Sequence, residues 1–182
     1  MGSYSPPPPI VAKWLGSQPL LQLIMLVFLL SQGTIAFILG PVSHDLLGIQ
    51  LLSMFDPNIL RNTMARWSAE EKMRFEKHFM VDFWFHPLVY SLMFVVWVTL
   101  ETSLTKRSPV PYFLFIMVPI AAGLCDVMEN SIHLTLLKTM PAGSDNFIRM
   151  GGFFATIKWA LVIPTGLWCL MAYLTRRKQK TQ

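Results

Sequence analysis

The chain has 182 residues, of which 53% are hydrophobic and only 14% are charged, and its mean hydropathy is +0.48. Soluble domains carry about 25% charged residues, so this composition excludes a disordered chain, a secreted disulfide scaffold and a nucleic-acid-binding domain. The net charge of +5 does not indicate a nucleic-acid partner, because basic residues are crowded into positions 176–182. The sequence therefore predicts an integral membrane protein.

Four apolar stretches are each long enough to cross a bilayer, which takes about 20 helical residues. They cover approximately residues 20–39, 79–100, 110–137 and 153–174. Helices are expected because backbone polar groups in lipid must be satisfied within their own segment. The predicted fold class is an all-α integral membrane protein, a bundle of four transmembrane helices formed by residues 17–175. A cytosolic proline-rich leader (1–16) and a basic cytosolic tail (176–182) are expected to flank it.

The connection between the first two spans, residues 40–78, is long and amphipathic. Its apolar part, residues 46–52, is expected to lie on the lumenal membrane surface, and residues 56–58 (Asp-Pro-Asn) are typical of a turn. Ser68 and Glu71 have the spacing of a capping box. The second helix is therefore expected to begin in water near Ser68 and to continue into the membrane.

Each of the last three spans contains a proline. A proline inside a helix removes a backbone hydrogen bond and clashes with the preceding turn. We therefore expect kinks just upstream of Pro87, Pro119 and Pro164.

Basic residues in short loops favour a cytosolic location. Lys106 and Arg107 in the second loop fall on the same side as the basic tail, so both termini are predicted to be cytosolic. The first loop also carries basic residues and would face the lumen, which conflicts with simple counting. The final residues 178–182 (Lys-Gln-Lys-Thr-Gln) resemble the K-x-K-x-x dilysine signal, which predicts an endoplasmic reticulum membrane protein in a eukaryote. The alternative is a generic basic flank.

Ionisable side chains inside the spans cost about 2.5–3.5 kcal/mol each and usually face the interior of a bundle. Each of the last three spans carries such residues, in the second and third at helical spacing. They are His78, Asp82 and His86 in the second, Asp126, Glu129, Asn130 and His133 in the third, and Lys158 in the fourth. Counting residues along each helix places those of all three spans at a similar depth, in the lumenal half, with Asp126 deeper, near the middle of the bilayer. We therefore predict one polar cavity between three helices.

Acid/base chemistry is the first interpretation of this cluster. A carboxyl group in a low dielectric keeps its proton up to higher pH and can donate it near neutrality. The predicted catalytic residues are Asp82, Asp126, Glu129 and Lys158. The predicted substrate-binding residues are Asn130, His86, His133, Trp84, Tyr90 and Trp159. The expected partner is a membrane lipid, sterol or isoprenoid, which the protein would isomerise or cyclise without a cofactor.

Two other interpretations stay open. Asp82 with His86, and Glu129 with His133, have a spacing that could hold Zn or Fe, although Lys158 would oppose a cation. The charges could instead act only as links between helices, in a non-catalytic scaffold or a partner of another membrane protein.

The segment 122–130 (Ala-Gly-Leu-Cys-Asp-Val-Met-Glu-Asn) resembles the D-x-x-E-N signature of a family of small four-helix membrane proteins without an assigned activity. The similarity includes Asp82 with the following Pro87, and residues 153–159 (Phe-Phe-Ala-Thr-Ile-Lys-Trp). It covers approximately residues 64–170. The resemblance implies a four-helix membrane fold and no particular chemistry.

Overall fold

A computed structural model describes residues 9–105, 112–139 and 143–180, and every regular element within these ranges is a helix. The predicted leader up to residue 8, the basic pair at 106–107 and the last two residues lie outside the described part of the chain. The helices are α1 (Pro9–Trp14), α2 (Gln18–Leu39), α3 (Ser43–Leu52), α4 (Pro57–Arg66), α5 (Ala69–Asp82), α6 (Phe85–Thr105), α7 (Tyr112–Thr139) and α8 (Asp145–Lys180), with a 3-10 turn at Gly40–Val42.

The helices long and apolar enough to cross a membrane are α2, α6, α7 and α8. This confirms the predicted class, an all-α membrane protein with a four-helix bundle. The first and third spans lie within two residues of their predicted bounds, but the second begins at Phe85 rather than at residue 79. Residues 176–180 of the predicted basic tail are helical, since α8 continues as one helix to Lys180.

The helix after the long connection begins and breaks where its sequence indicates. Ser68 Oγ accepts a hydrogen bond from the Glu71 amide at 3.2 Å, and Glu71 Oε2 accepts one from the Ser68 amide at 2.7 Å, which confirms the capping box. The helix is interrupted at residues 83–84, just upstream of Pro87. Pro87 has no amide hydrogen to donate to the preceding turn, so the break occurs there. In contrast, α7 and α8 continue through Pro119 and Pro164 without such an interruption.

The connection between the first two spans is folded against the beginning of α8. The apolar residues 46–52 belong to α3, which packs on α8. The predicted turn at 56–58 instead starts a helix, because Asp56 caps α4 by accepting a hydrogen bond from the Asn58 amide at 3.0 Å. Arg61 pairs with Asp145 at 2.5 Å and so ties α4 to the start of α8.

Two hydrophobic clusters stabilise the bundle. One surrounds Phe75 and joins α5, the helices of the connection and the ends of α7 and α8, and the other surrounds Val96 and joins α2, α6 and α8. Ile35 belongs to the first cluster and Phe94 to the second, yet both side chains line one internal cavity of the bundle. The polar residues predicted for the interior therefore lie where the two cores meet.

Candidate functional site

A buried ion triad joins α7 to α8. Lys158 Nζ lies 2.9 Å from Asp126 Oδ1 and 2.6 Å from Glu129 Oε2. The two carboxylates are three residues apart on α7, so they share one face of the helix and reach the same ammonium group. All three side chains are buried. The prediction that ionisable residues of separate spans meet inside the bundle is confirmed for this triad.

Asn130 connects the triad to the break between α5 and α6. Its Nδ2 donates a hydrogen bond to the backbone carbonyl of Asp82 at 2.6 Å, and lies 3.3 Å from Asp126 Oδ1. The carbonyl oxygen at such a helix end needs a partner when it is buried. Asn130 therefore positions Asp82 relative to Asp126.

Each buried histidine has a different environment. His78 Nε2 lies 3.8 Å from Asp82 Oδ2, and its Nδ1 is hydrogen-bonded to the carbonyl of Phe75. His86 Nδ1 lies 2.8 Å from Ser31 Oγ on α2. His133 Nδ1 lies 3.7 Å from Glu129 Oε1, on the far side of the triad. The three rings are therefore fixed by different helices and do not converge on one point.

The electrostatics of α5, which lies outside the four spans, favour uncharged forms. Burial lowers the pKa of His78 to about 4, so its ring is neutral near pH 7. Burial, and then the nearby Asp126, raise the pKa of Asp82 well above its usual range. At the water-exposed end of the same helix, the hydrogen bonds from Ser68 lower the pKa of Glu71. Asp82 is therefore the carboxyl group best suited to carry a proton.

A cavity of about 400 Å³ opens beside these residues, between α2, α3, α6 and α8. Most of its wall is apolar, with Phe28, Ile35 and Phe94 among the contributing side chains. The ionisable lining residues are His78, Asp82, His86, Tyr90, Asp126 and Lys158, and the uncharged polar ones are Gln32, Ser43 and Gln50. The volume is within the range of about 300–1,000 Å³ that is typical of ligand sites.

The long connection contributes to the cavity wall through α3. Gln50 of α3 accepts a hydrogen bond from the Trp159 indole at 3.3 Å, and both residues line the cavity. Sequence reasoning missed Gln50, because this contact joins residues 109 positions apart. It also missed Ser31, whose hydroxyl orients His86.

Six of the predicted site residues line the cavity, and four do not. The six are Asp82, Asp126, Lys158, His86, Tyr90 and Trp159. Glu129, Asn130 and His133 are buried and are not among the residues that line the cavity. Glu129 contacts Lys158, which does line the cavity. These three side chains belong to the interface of α7 with α5 and α8.

Trp84 is the fourth predicted site residue that does not line the cavity. Trp84 lies in the break between α5 and α6, is 59% exposed, and lines a separate apolar groove with Leu88 and Leu124 on the outer surface. The break turns this residue away from the interior. Trp159 and Tyr90, which are on continuous helices, keep the orientation that helical spacing predicts.

The donor atoms do not form the predicted alternative metal site. Within the described ranges, no group of three or more histidine, cysteine, aspartate or glutamate residues is placed to hold a metal ion. The position between Asp126 and Glu129 is taken by the ammonium group of Lys158. His86, the predicted partner of Asp82, is turned toward Ser31.

A second interhelical ion pair, between the buried Glu101 and the partly exposed Arg176, was not predicted. The guanidinium group of Arg176 donates two hydrogen bonds of 3.0 Å to the carboxylate of Glu101 and so joins the ends of α6 and α8. Glu101 is an acidic residue at the end of an apolar span, and this position could have indicated an ion pair from the sequence. This pair lies near residue 105, away from the cavity, and we assign it an architectural role.

The fold and this site define a four-helix membrane protein with an internal cavity that is apolar on most sides and ionisable on one. Comparison with protein-family models, curated proteins and solved structures finds no match. The chemistry of the cavity is therefore the basis for the functional argument.

Proposed function

We propose that this protein binds a hydrophobic small molecule, of the lipid, sterol or isoprenoid class, in the cavity between α2, α3, α6 and α8. The observation that carries the proposal is the composition of the cavity wall, which is mainly apolar but presents Asp82, Asp126 and Lys158 on one side. A hydrophobic body would contact the apolar wall, and a polar or reactive group would meet the carboxyl groups. Such a combination is typical of small-molecule sites.

We further propose that the site moves a proton and acts as an isomerase or cyclase. In an isomerisation, protonated Asp82 donates its proton to a carbon–carbon double bond, a C–H bond forms, and Asp82 becomes a carboxylate. Asp126 then removes a proton from a neighbouring carbon, and the double bond re-forms at the new position. The raised pKa of Asp82 and the pairing of Asp126 with Lys158 support this division of roles. Transfer of the proton from Asp126 to Asp82 completes the cycle, and no cofactor is required.

Mass spectrometry of small molecules that copurify with the protein in mild detergent tests the binding proposal. Val162 lines the cavity, whereas its neighbour Ile163 is exposed on the outer surface of α8. We expect Val162→Phe to remove the copurifying molecule and Ile163→Phe to retain it. A set of copurifying molecules that is identical in both variants would contradict the proposal.

The catalytic proposal requires a further comparison once the molecule is known. Asp82→Asn keeps the shape of the side chain but removes its proton-donating group, so we expect bound substrate without conversion. Glu129→Gln is expected to reduce turnover through misplacement of Lys158. A fully active protein that carries both Glu129→Gln and Asp126→Asn would exclude acid/base catalysis at this site.

A non-catalytic scaffold or partner of another membrane protein is the second candidate. The burial of Glu129 favours this candidate. Its side chain is 0% exposed, and it pairs with Lys158 of the protein itself. In this case Glu129→Gln would lower the melting temperature, and a cavity-filling Val162→Phe would leave function in cells unchanged. A loss of function with Val162→Phe but not with Ile163→Phe argues for the ligand site instead.

We propose an endoplasmic reticulum location, with both termini in the cytosol. The dilysine-like end supports this, and the conflicting charge of the first loop is reduced by ion pairs, since Arg61 pairs with Asp145 and Arg74 with Glu70. A glycosylation acceptor inserted between α3 and α4 is expected to be modified in microsomes, and one added at the C-terminus is not. The reverse pattern would overturn the orientation.

We also propose that the D-x-x-E-N resemblance describes this site. Asp126 and Glu129 hold Lys158, and Asn130 holds the backbone of Asp82, so the residues of the pattern contact one another. Exchange of Asp126 for Glu and Glu129 for Asp is expected to lower stability, because each carboxylate must reach one ammonium from its own position. Wild-type stability of that exchange variant would contradict the interpretation.

A further inference from the structure

The cavity carries more acid than base. Among the described residues that line it, Lys158 is the one lysine or arginine, and Asp82 and Asp126 are both present. Glu129 adds a third carboxyl group behind Lys158, at 2.6 Å. Three carboxyl groups, Asp82, Asp126 and Glu129, are thus gathered around one ammonium group, that of Lys158.

Nearby basic side chains are engaged elsewhere. Arg61 pairs with Asp145, and Arg74 donates two hydrogen bonds to Glu70. Arg149 donates hydrogen bonds to the carbonyls of Met54 and Phe55. The neutral ring of His78 adds no charge. The carboxyl groups that Lys158 does not pair with are therefore available to a proton or to a bound cation.

The other walls suit a cation with an apolar body. The rings of Phe28, Tyr90, Phe94 and Trp159 all line the cavity. Lys158 Nζ already lies 5.5 Å from the centre of the Trp159 ring, within the distance at which an ammonium group is attracted to an aromatic face. The buried hydroxyl of Tyr90 faces Asp126 without a well-formed hydrogen bond to any described residue, so it can accept one from a ligand.

We propose that the molecule held in this cavity is a hydrophobic amine, with its ammonium group between Asp82 and Asp126. Asp82 releases its proton when the ammonium group binds, so both side chains face the cation as carboxylates. This inference rests on the proposed function, because it names the ligand class for the same cavity. An anionic headgroup would face two carboxyl groups, while the cation that could attract it is already shared by Asp126 and Glu129. A neutral alcohol would gain a hydrogen bond but no charge pairing, so it would bind more weakly.

Three probes of equal chain length separate these headgroup classes: tetradecyldimethylamine, tetradecanol and tetradecanoate. Binding to the full-length protein in lipid nanodiscs can be followed through the fluorescence of Trp159, with Trp159→Phe as the optical control. We expect the amine to bind about tenfold or more tightly than the alcohol, and tetradecanoate to bind weakest. Val162→Phe is expected to weaken amine binding, and Ile163→Phe is not.

Aspartate variants test the position of the ammonium group. Asp82→Asn is expected to lower amine affinity about tenfold and to leave alcohol affinity unchanged. Asp56→Asn is the matched control, because Asp56 caps α4 away from the cavity and asparagine is an equally good cap. We expect it to change neither affinity.

The outcomes separate this inference from the proposed function. Alcohol binding as tight as amine binding, or tetradecanoate binding tighter than both, overturns the amine assignment while the hydrophobic-ligand proposal stands. An unchanged amine affinity in a folded Asp82→Asn variant also overturns it. Binding of none of the three probes, or binding insensitive to Val162→Phe, overturns both proposals. The three-probe comparison uses the wild-type protein and so does not depend on whether a variant folds.

Discussion

Lys158 Nζ lies 2.6 Å from Glu129 Oε2, but only Lys158 reaches the cavity. Glu129 is 0% exposed and supports the ammonium group from behind, while Asp126 contacts it beside the cavity. The two carboxylates thus have different positions relative to a ligand although they share one cation. Glu129 is a positioning residue in this arrangement, and Asp126 is available to a bound molecule.

Removal of the shared cation is expected to destabilise the bundle. Lys158→Met leaves Asp126 and Glu129 buried without a counterion, which should lower the free energy of unfolding by roughly 3–5 kcal/mol. Thermal unfolding in detergent or nanodiscs measures the change. Lys72→Met, at an exposed position of α5, is the control and is expected to melt like the wild type.

If unpaired carboxylates cause the loss of stability in Lys158→Met, neutralising them should restore it. The triple variant Lys158→Met, Asp126→Asn, Glu129→Gln should recover most of the stability, since no buried charge remains. A Lys158→Met protein that melts at the wild-type temperature would contradict the assignment of a stabilising ion triad.

Asn130→Ala is expected to destabilise the break between α5 and α6. The substitution removes the donor for the buried Asp82 carbonyl, at a cost of about 1–3 kcal/mol. Asn62→Ala, at an exposed position of α4, should be neutral or slightly stabilising because alanine favours helix. Hydrogen exchange of the amides at residues 83–88 should increase in Asn130→Ala, and unchanged exchange there would count against the proposed contact.

Gly152→Ala is expected to displace helices that contribute to the cavity wall. A Cβ atom at this position would overlap the backbone nitrogen of Met54 and lie 2.9 Å from its Cα. Because backbone atoms cannot move aside like a side chain, we expect a loss of about 1–3 kcal/mol and weaker binding of the copurifying molecule. Gly48→Ala is the control on α3, where an added Cβ meets nothing within 4 Å. Equal melting temperatures for the two variants would contradict close packing of α3 on α8.

The neutral state of His78 predicts part of the acid sensitivity. Its pKa is about 4 in the folded protein, against 6.5 for an unperturbed histidine. Between these values the unfolded chain binds a proton and the folded chain does not, so this contribution to stability is present above pH 6.5 and is lost as the pH falls toward 4. His78→Gln should reduce the pH slope of the unfolding free energy in this window by up to about 1.4 kcal/mol per pH unit. Exposed His44→Gln is the control, and an unchanged slope for His78→Gln would contradict the prediction.

The sequence predicted those parts of the fold that depend on local patterns. Apolar length predicted the four spans, the Ser68–Glu71 spacing predicted a helix start, and Pro87 predicted a break. The length of α8 was underestimated, because a window of apolar residues does not detect polar turns that continue a helix beyond it. Its N-terminal part, from Asp145, is held by contacts with Arg61 that are distant in sequence.

The sequence predicted those site residues whose positions follow from helical periodicity alone. Asp126 and Glu129 share a face by spacing, and Lys158 was the one cation available to them within the last three spans. Periodicity could not predict where the Trp84 side chain lies, because the helix is interrupted at residues 83–84 and helical spacing no longer fixes the direction of the side chain there. It also could not identify Gln50 or Ser31, whose roles depend on which helices become neighbours.

One face of α8 carries Lys158 and Arg176, which pair with acidic residues of α7 and α6. Lys158 and Arg176 are 18 residues apart, which is five helical turns, or about 27 Å along the axis. Their partners are on different helices, since Lys158 binds α7 and Arg176 binds Glu101 of α6. Rotation or sliding of α8 would therefore have to break both electrostatic links at once. The two links therefore fix the register of α8 against α6 and α7 at once, and Lys158 is held at one height beside the cavity.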